Sequence, residues 1–186
     1  MKRILGIAAA GCLAVLALSM DRGENHMFAG EKKPSEKIEI FDPVSGKLEK
    51  LERIILDEAE WKKRLPPDRC YILRSKGTER PFGNAFEKNK QAGLYSCAAC
   101  ETALFRSSAK FDSGTGWPSF WEPIAPQNVV FEEDFSLFHK RVEVLCARCR
   151  GHLGHVFDDG PPPTGKRYCM NSGAMRFEAK EEKPVS

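Results

Sequence analysis

Apolar residues in this chain fall in short, mostly alternating runs rather than in long helical stripes. Across residues 37–41, Ile38 and Ile40 alternate with Lys37 and Glu39, and a second short run at 47–51 follows Asp42-Pro43-Val44-Ser45-Gly46. Period-two alternation on both sides of a glycine-containing loop predicts a β-hairpin. A short helix is predicted next. Asp57 stands at an N-cap position with Glu60 three residues on, Trp61 and Leu65 share a face, and Pro66-Pro67 ends it. Beyond Arg69 the pattern predicts short strands and turns. Over residues 140–145, Val142 and Val144 point one way while Arg141 and Glu143 point the other, and residues 128–132 and 167–177 read as extended. Turn-rich stretches lie between them at 112–116 and 158–164. No strand–helix–strand alternation is present to build a parallel sheet, so the expected core is mainly β and antiparallel, with one or two short peripheral helices.

Residues 1–19 break this pattern. Lys2 and Arg3 precede an apolar or small run over residues 4–20, charge returns at Asp21, and Ala17-Leu18-Ser19 offers a small-residue cleavage site. That layout predicts a signal peptide, with an uncleaved membrane anchor as the alternative. Cys12 lies inside the apolar run rather than after it, which argues against lipid attachment there. The chain is therefore expected to be exported, either to the periplasm or anchored to the inner membrane facing it. Residues 31–37 are charged and contain Pro34, which marks a linker. The expected organisation is an export segment at 1–19, linker and hairpin at 20–57, the main domain at 58–179 and a charged tail at 180–186. Cleavage after Ser19 removes Lys2 and Arg3 and takes the formal charge of +3 to +1. With no polybasic block, nothing in the chain advertises a nucleic-acid partner, and membrane contact is expected only through the N-terminal segment.

Of the seven cysteines, four form two pairs, Cys97-Ala-Ala-Cys100 and Cys146-Ala-Arg-Cys149, with 45 residues between them. Each CxxC knuckle aims two thiolates at one position, and two knuckles complete a tetrahedral Cys₄ zinc shell. Disulfides or a redox dithiol are the alternative, since an exported chain meets an oxidising compartment. A full set of four sulfurs leaves no coordination position for a reactive water, so one structural zinc per chain is expected.

Cys70 and Cys169 remain. On a strand through Arg167-Tyr168-Cys169-Met170-Asn171, the residues Arg167, Cys169 and Asn171 share one face. A cation and an amide beside a thiol favour its thiolate, although a small buried cysteine is the commoner finding. Gly151-His152-Leu153-Gly154-His155 directly follows the second knuckle, so bound zinc would fix two potential proton donors in place. Trp117, in Gly116-Trp117-Pro118, sits in a glycine-rich turn as either core or binding wall.

The stretches at 77–82 (Gly77-Thr78-Glu79-Arg80-Pro81-Phe82), 111–120, 151–161 and 167–177, with both CxxC pairs, resemble the methionine-R-sulfoxide reductases, the B-type enzymes, from about residue 58 to 177. The resemblance implies two antiparallel sheets with Cys₄ zinc opposite the active site. It also implies reduction of methionine R-sulfoxide, free or in oxidised proteins, at the expense of a thioredoxin-like or other thiol. Cys169 corresponds to the nucleophile, passing through a sulfenic acid. Trp117 corresponds to the wall that packs the substrate methyl group, and Arg167 falls in the same site. His155 and Asn171 match positions that bind and polarise the sulfoxide, and His152 falls in the same motif. Many members carry a recycling cysteine where this chain has Thr115. That leaves Cys70 as either a resolving thiol or a packing residue, and an external thiol as the third route. A zinc-ribbon binding module and a CxxC disulfide oxidoreductase are the competing readings, and each accounts for the cysteine pairs alone.

Overall fold

The computed structural model describes residues 36–136 and 140–180. The expected export segment, Cys12, nearly all of the linker and residues 181–186 of the tail lie outside the described residues. No described helix is long and apolar enough to cross a membrane.

The hairpin forms where alternation predicts it, with β1 (Lys37–Asp42) antiparallel to β2 (Lys47–Glu52). Its turn is local chemistry. Asp42 accepts at its carboxylate from the Val44 and Ser45 amides, and its carbonyl accepts from Gly46 N at 2.9 Å. Helix α1 (Glu58–Arg64) begins at Asp57, whose carboxylate accepts from Glu60 N at 2.8 Å. Trp61 and Leu65 are both buried.

The sequence expectation fails after Pro66. Pro67 starts a second helix, α2 (Pro67–Ser75), instead of introducing strands. A proline at the first helical position costs nothing, because its missing N–H would have no helical partner anyway. Cys70, Ile72 and Leu73 are buried from this helix, so the run reads like a strand by composition and is made helical by packing.

Two antiparallel sheets form the core. One has six strands in the order β5 (Lys110–Phe111), β6 (Ser119–Phe120), β10 (Arg167–Met170), β9 (His152–Phe157), β8 (Arg141–Cys146) and β7 (Val129–Asp134). The other has three, β11 (Met175–Ala179), β3 (Gly93–Cys97) and β4 (Ala103–Arg106). The stretch expected to be extended over 167–177 is therefore two strands of different sheets, divided by a 3-10 turn at Ser172–Ala174. Aromatic rings fill the space between the sheets. Phe105 stacks on Phe120 at 4.4 Å, and Tyr95 meets Phe120 edge-on at 5.0 Å. Burial pushes the Tyr95 phenol up to about 12.

Asn128 ties the hairpin to this core, beside a longer bond from Arg148 Nε to the Glu52 carbonyl at 3.4 Å. Asn128 is fully buried; its amide nitrogen donates to the carbonyls of Phe41 (2.9 Å) and Ala103 (2.7 Å), and its amide oxygen accepts from Phe41 N (2.8 Å). Asn128→Ala strips partners from three main-chain groups, one of them buried, and should cost about 2–4 kcal/mol in urea unfolding. An unchanged midpoint would show that the hairpin is held by other contacts.

Candidate active site and metal centre

The chemistry-bearing residues line up across the six-stranded sheet. Cys169 on β10 is the direct ladder partner of Ser119 on β6 and of His155 on β9, and His155 is in turn the partner of Glu143 on β8. Facing residues in an antiparallel ladder project to the same side with Cβ atoms about 4.5–5.5 Å apart. The sheet thus delivers a thiol and an imidazole side by side. The approach of β9 to β10 is close enough that a Cβ on Gly154 would lie 2.1 Å from the Cys169 carbonyl oxygen.

Above this row lies a cavity of about 130 Å³, lined by Thr78, Trp117, Arg141, His155, Cys169 and Asn171 among others. Its volume suits a small headgroup and not a whole peptide. Of the residues expected from the sequence, Cys169, His155, Asn171 and Trp117 line it together. Arg167 does not line it. It stands beside Cys169 on the strand, held in a two-point pair by Asp159 at 2.9 Å for both bonds and stacked over Phe157. His152 is turned away, buried, with its Nδ1 2.6 Å from Glu143 Oε1. Cys70 is buried in the core from α2 and does not line the cavity.

Burial sets the titration of the central pair. It raises the Cys169 thiol above its ordinary value, with Arg167 and Thr115 pulling partly back. It lowers the His155 imidazole, with Asp134 pulling partly back. At neutral pH the pair therefore carries one proton, on sulfur, with the imidazole neutral.

Three supports were not singled out by the sequence reading. Asp134 accepts from Arg141 Nη2 at 2.6 Å and lies 2.7 Å from His155 Nε2, which orients the imidazole. Arg141 also reaches the cavity wall. Glu79, within a quoted motif but given no role, is the third. Its carboxylate accepts from the amides of Ser172 (2.5 Å) and Gly173 (2.9 Å), its own amide donates to Asn171 Oδ1 (3.1 Å), and its carbonyl accepts from Trp117 Nε1 (3.1 Å). One residue therefore braces the tryptophan wall, the asparagine and the turn that follows the Cys169 strand. Burial raises the Glu79 carboxyl, opposed by those two amides.

The four paired cysteines converge elsewhere. Their sulfurs all lie within 4.8 Å of one another, with Cys97–Cys149 at 3.7 Å and Cys100–Cys146 at 3.5 Å. Disulfide sulfurs would be bonded at about 2.05 Å. A tetrahedral ion with bonds of about 2.3 Å holds its sulfurs about 3.8 Å apart, so the spacing fits a metal shell. The two knuckles share a geometry. Glu101 and Arg150, each just past its second cysteine, have φ of 62° and 59° and donate their amides back to Cys97 and Cys146. Neither histidine belongs to this cluster.

Comparison with known proteins places these features in context. A SelR domain matches residues 65–179. The peptide methionine sulfoxide reductase MsrB of Methanosarcina barkeri is 56% identical over 125 residues, which cover 67% of this chain and 88% of that protein. The chloroplastic peptide methionine sulfoxide reductase B1 of Arabidopsis thaliana is 56% identical over 135 residues, covering 72% and 66%. The MsrB of Bradyrhizobium diazoefficiens is 52% identical over 129 residues, covering 69% and 93%.

Elemental analysis of the purified chain should find one metal ion per chain. Cys100→Ser should lose most of it and several kcal/mol of stability, since metal affinity here is folding energy. Full folding with no metal bound would remove the metal assignment.

Proposed function

The chain belongs to the SelR-domain family of B-type peptide methionine sulfoxide reductases, and from that premise we propose that its Cys169 site reduces methionine R-sulfoxide, in oxidised proteins or as the free amino acid. The observation that carries the assignment of the site is the facing of Cys169 and His155 across one ladder beneath a small cavity walled by Trp117.

The resting pair already holds the single proton that the reaction needs. Shift of that proton from Cys169 to His155 gives a thiolate beside an imidazolium. The thiolate attacks the sulfoxide sulfur, while His155 donates to the oxygen and the Asn171 amide borders the same space. Attack forms a bond between the two sulfurs, and the oxygen, now a hydroxyl, passes from the methionine sulfur to the Cys169 sulfur as the S–S and methionine S–O bonds break. The methionine sulfur leaves with the electron pair, reduced by two electrons, and Cys169 is oxidised by two to a sulfenic acid, so no proton is gained or lost overall. Trp117 supplies an apolar wall for the S-methyl group. A chiral sulfur held between that wall and the imidazole is accepted in one hand only. Two external thiols of a thioredoxin-like reductant then return Cys169 to the thiol, leaving as a disulfide with one water.

Zinc is the ion we assign to the four sulfurs, where a closed shell supplies rigidity and no reacting position. The N-terminal segment is assigned to export, cleaved or retained as an anchor, so that repair of oxidised proteins takes place in the periplasm.

With dithiothreitol as reductant, the R epimer should turn over and the S epimer should not. The activity should be recovered in periplasmic or inner-membrane fractions. Cys169→Ser should lower kcat by a factor on the order of 10³ or more; a serine variant working near the parent rate would overturn the choice of nucleophile.

The pH profile follows from the single shared proton. A second proton inactivates the pair as pH falls through the His155 value, which burial sets below 6.5. Loss of the proton inactivates it as pH rises through the Cys169 value, which burial sets above 9.0. A plot of kcat/KM against pH should therefore be a broad plateau between those limbs. An acid limb above 6.5 would contradict this arrangement.

A further inference from the structure

Among the described residues, no second thiol lines the cavity. Cys169 faces a row of hydroxyls. Thr115 Oγ1 lies 3.9 Å from Cys169 Sγ, Ser113 Oγ lies 2.8 Å from Thr115 Oγ1, and Ser119 Oγ lies 2.7 Å from Ser113 Oγ. The far end of the row meets a fixed acceptor, the Trp117 carbonyl, 3.3 Å from Ser119 Oγ. Since Ser119 is also the ladder partner of Cys169, the row starts on the strand beside the nucleophile, passes through the turn and comes back to it.

The turn that carries Thr115 is held on both sides. Gly114 N donates to Asp112 Oδ1 at 2.9 Å, and the Gly116 carbonyl accepts from Phe82 N at 2.8 Å and from Asn84 Nδ2 at 2.7 Å. Gly116 has φ +87°, and a Cβ there would lie 2.8 Å from Phe82 N, so this backbone path is open to glycine alone. Thr115 is thus pointed at Cys169 by the main chain.

Each hydroxyl owns a single proton, so a linked row has two directions. In one, Thr115 donates to Ser113, Ser113 to Ser119 and Ser119 to the Trp117 carbonyl, which leaves Thr115 open to accept from the Cys169 thiol. In the other, the two hydroxyl–hydroxyl bonds reverse, Ser119 turns its proton from the Trp117 carbonyl to Ser113, and Thr115 presents a proton towards Cys169. The spacing of 3.9 Å is at the outer limit for a bond to sulfur. It leaves room for an oxygen carried by that sulfur to come within hydrogen-bond reach of Thr115.

We propose that Ser119, Ser113 and Thr115 form a reversible hydroxyl row that accepts from the Cys169 thiol at rest and donates to the oxygen of its sulfenic acid after turnover. The row holds the oxidised nucleophile for an external thiol. It rests on the function assigned above and deepens it. When that thiol attacks the Cys169 sulfur, the S–O bond breaks and the oxygen leaves as water with the attacking thiol's proton, forming a mixed disulfide. A second thiol then releases Cys169, and the two external thiols carry away the oxidation as their own disulfide.

The test makes the sulfenic acid with hydrogen peroxide, so it does not depend on sulfoxide turnover. Survival of the sulfenic acid is followed by trapping with dimedone and mass spectrometry of the peptide that contains Cys169. Thr115→Val removes the hydroxyl at nearly constant shape and should shorten survival about fivefold, the loss of one hydrogen bond. Thr115→Ser should restore survival to within about twofold of the parent, and Ser113→Ala should fall between them. Thermal midpoints of the variants confirm that each is folded. Equal survival in the parent and Thr115→Val overturns the proposal, as does a loss in Thr115→Ser as large as in Thr115→Val, which would assign the effect to packing. If survival follows the hydroxyl while no sulfoxide is reduced, the function assigned to the site fails and the row stands.

Discussion

The cluster of four sulfurs is the constraint from which the active-site geometry follows. Cys97 ends β3 of the three-stranded sheet and Cys146 ends β8 of the six-stranded sheet, so a single centre joins the two sheets at their turns. The second knuckle also leads straight into β9, the strand that carries both histidines. The hairpin is fastened at the same place. Ile54 N donates to the Arg148 carbonyl at 2.9 Å, and Ala147 N donates to the Asn128 carbonyl at 3.1 Å. Residues that lie before the matched domain thus help to close the knuckle.

The site itself depends on the balance between burial and pairing. In open water an imidazole would sit in mixed protonation states at neutral pH, beside a thiol that keeps its proton. Burial drives each to its neutral form, and pairing limits the cost. Asp134 and Arg141 keep the imidazole oriented, while Glu79 fixes the tryptophan wall, Asn171 and the turn after the Cys169 strand with four hydrogen bonds. These supports come from strands and loops far apart in sequence.

What could be read from the chain was local. The hairpin, the Asp57 cap and the two knuckles depend on residues within a few positions of one another, and Cys169 stands in a motif that carries its own context. Helix α2 was missed because Pro67 reads as a stop when it serves as a start, and Cys70 to Leu73 show no stripe. Glu143 was assigned to the polar side of its strand, and it is there. That side is covered, however, so Glu143 is fully buried between Lys76 and His152. His152 and His155 stand three positions apart, and the register shift of β8 and β9 between Val144 and Leu145 brings both to one side of the sheet with their rings 5.4 Å apart. Such a shift leaves no trace in periodicity, and the reach of Glu79 across more than ninety positions leaves none either.

The size of the cavity has a consequence for which damage can be mended. A space of about 130 Å³ takes in the end of one side chain, and the remainder of a client protein must stay outside. Where the substrate is part of a folded protein, its oxidised methionine has to protrude far enough to enter. Methionines on loose segments satisfy this directly, while those in packed cores are exposed only when their region opens. The rate of repair at such a position is then a property of the damaged protein, set by how often it opens, and the enzyme acts as a reader of local unfolding.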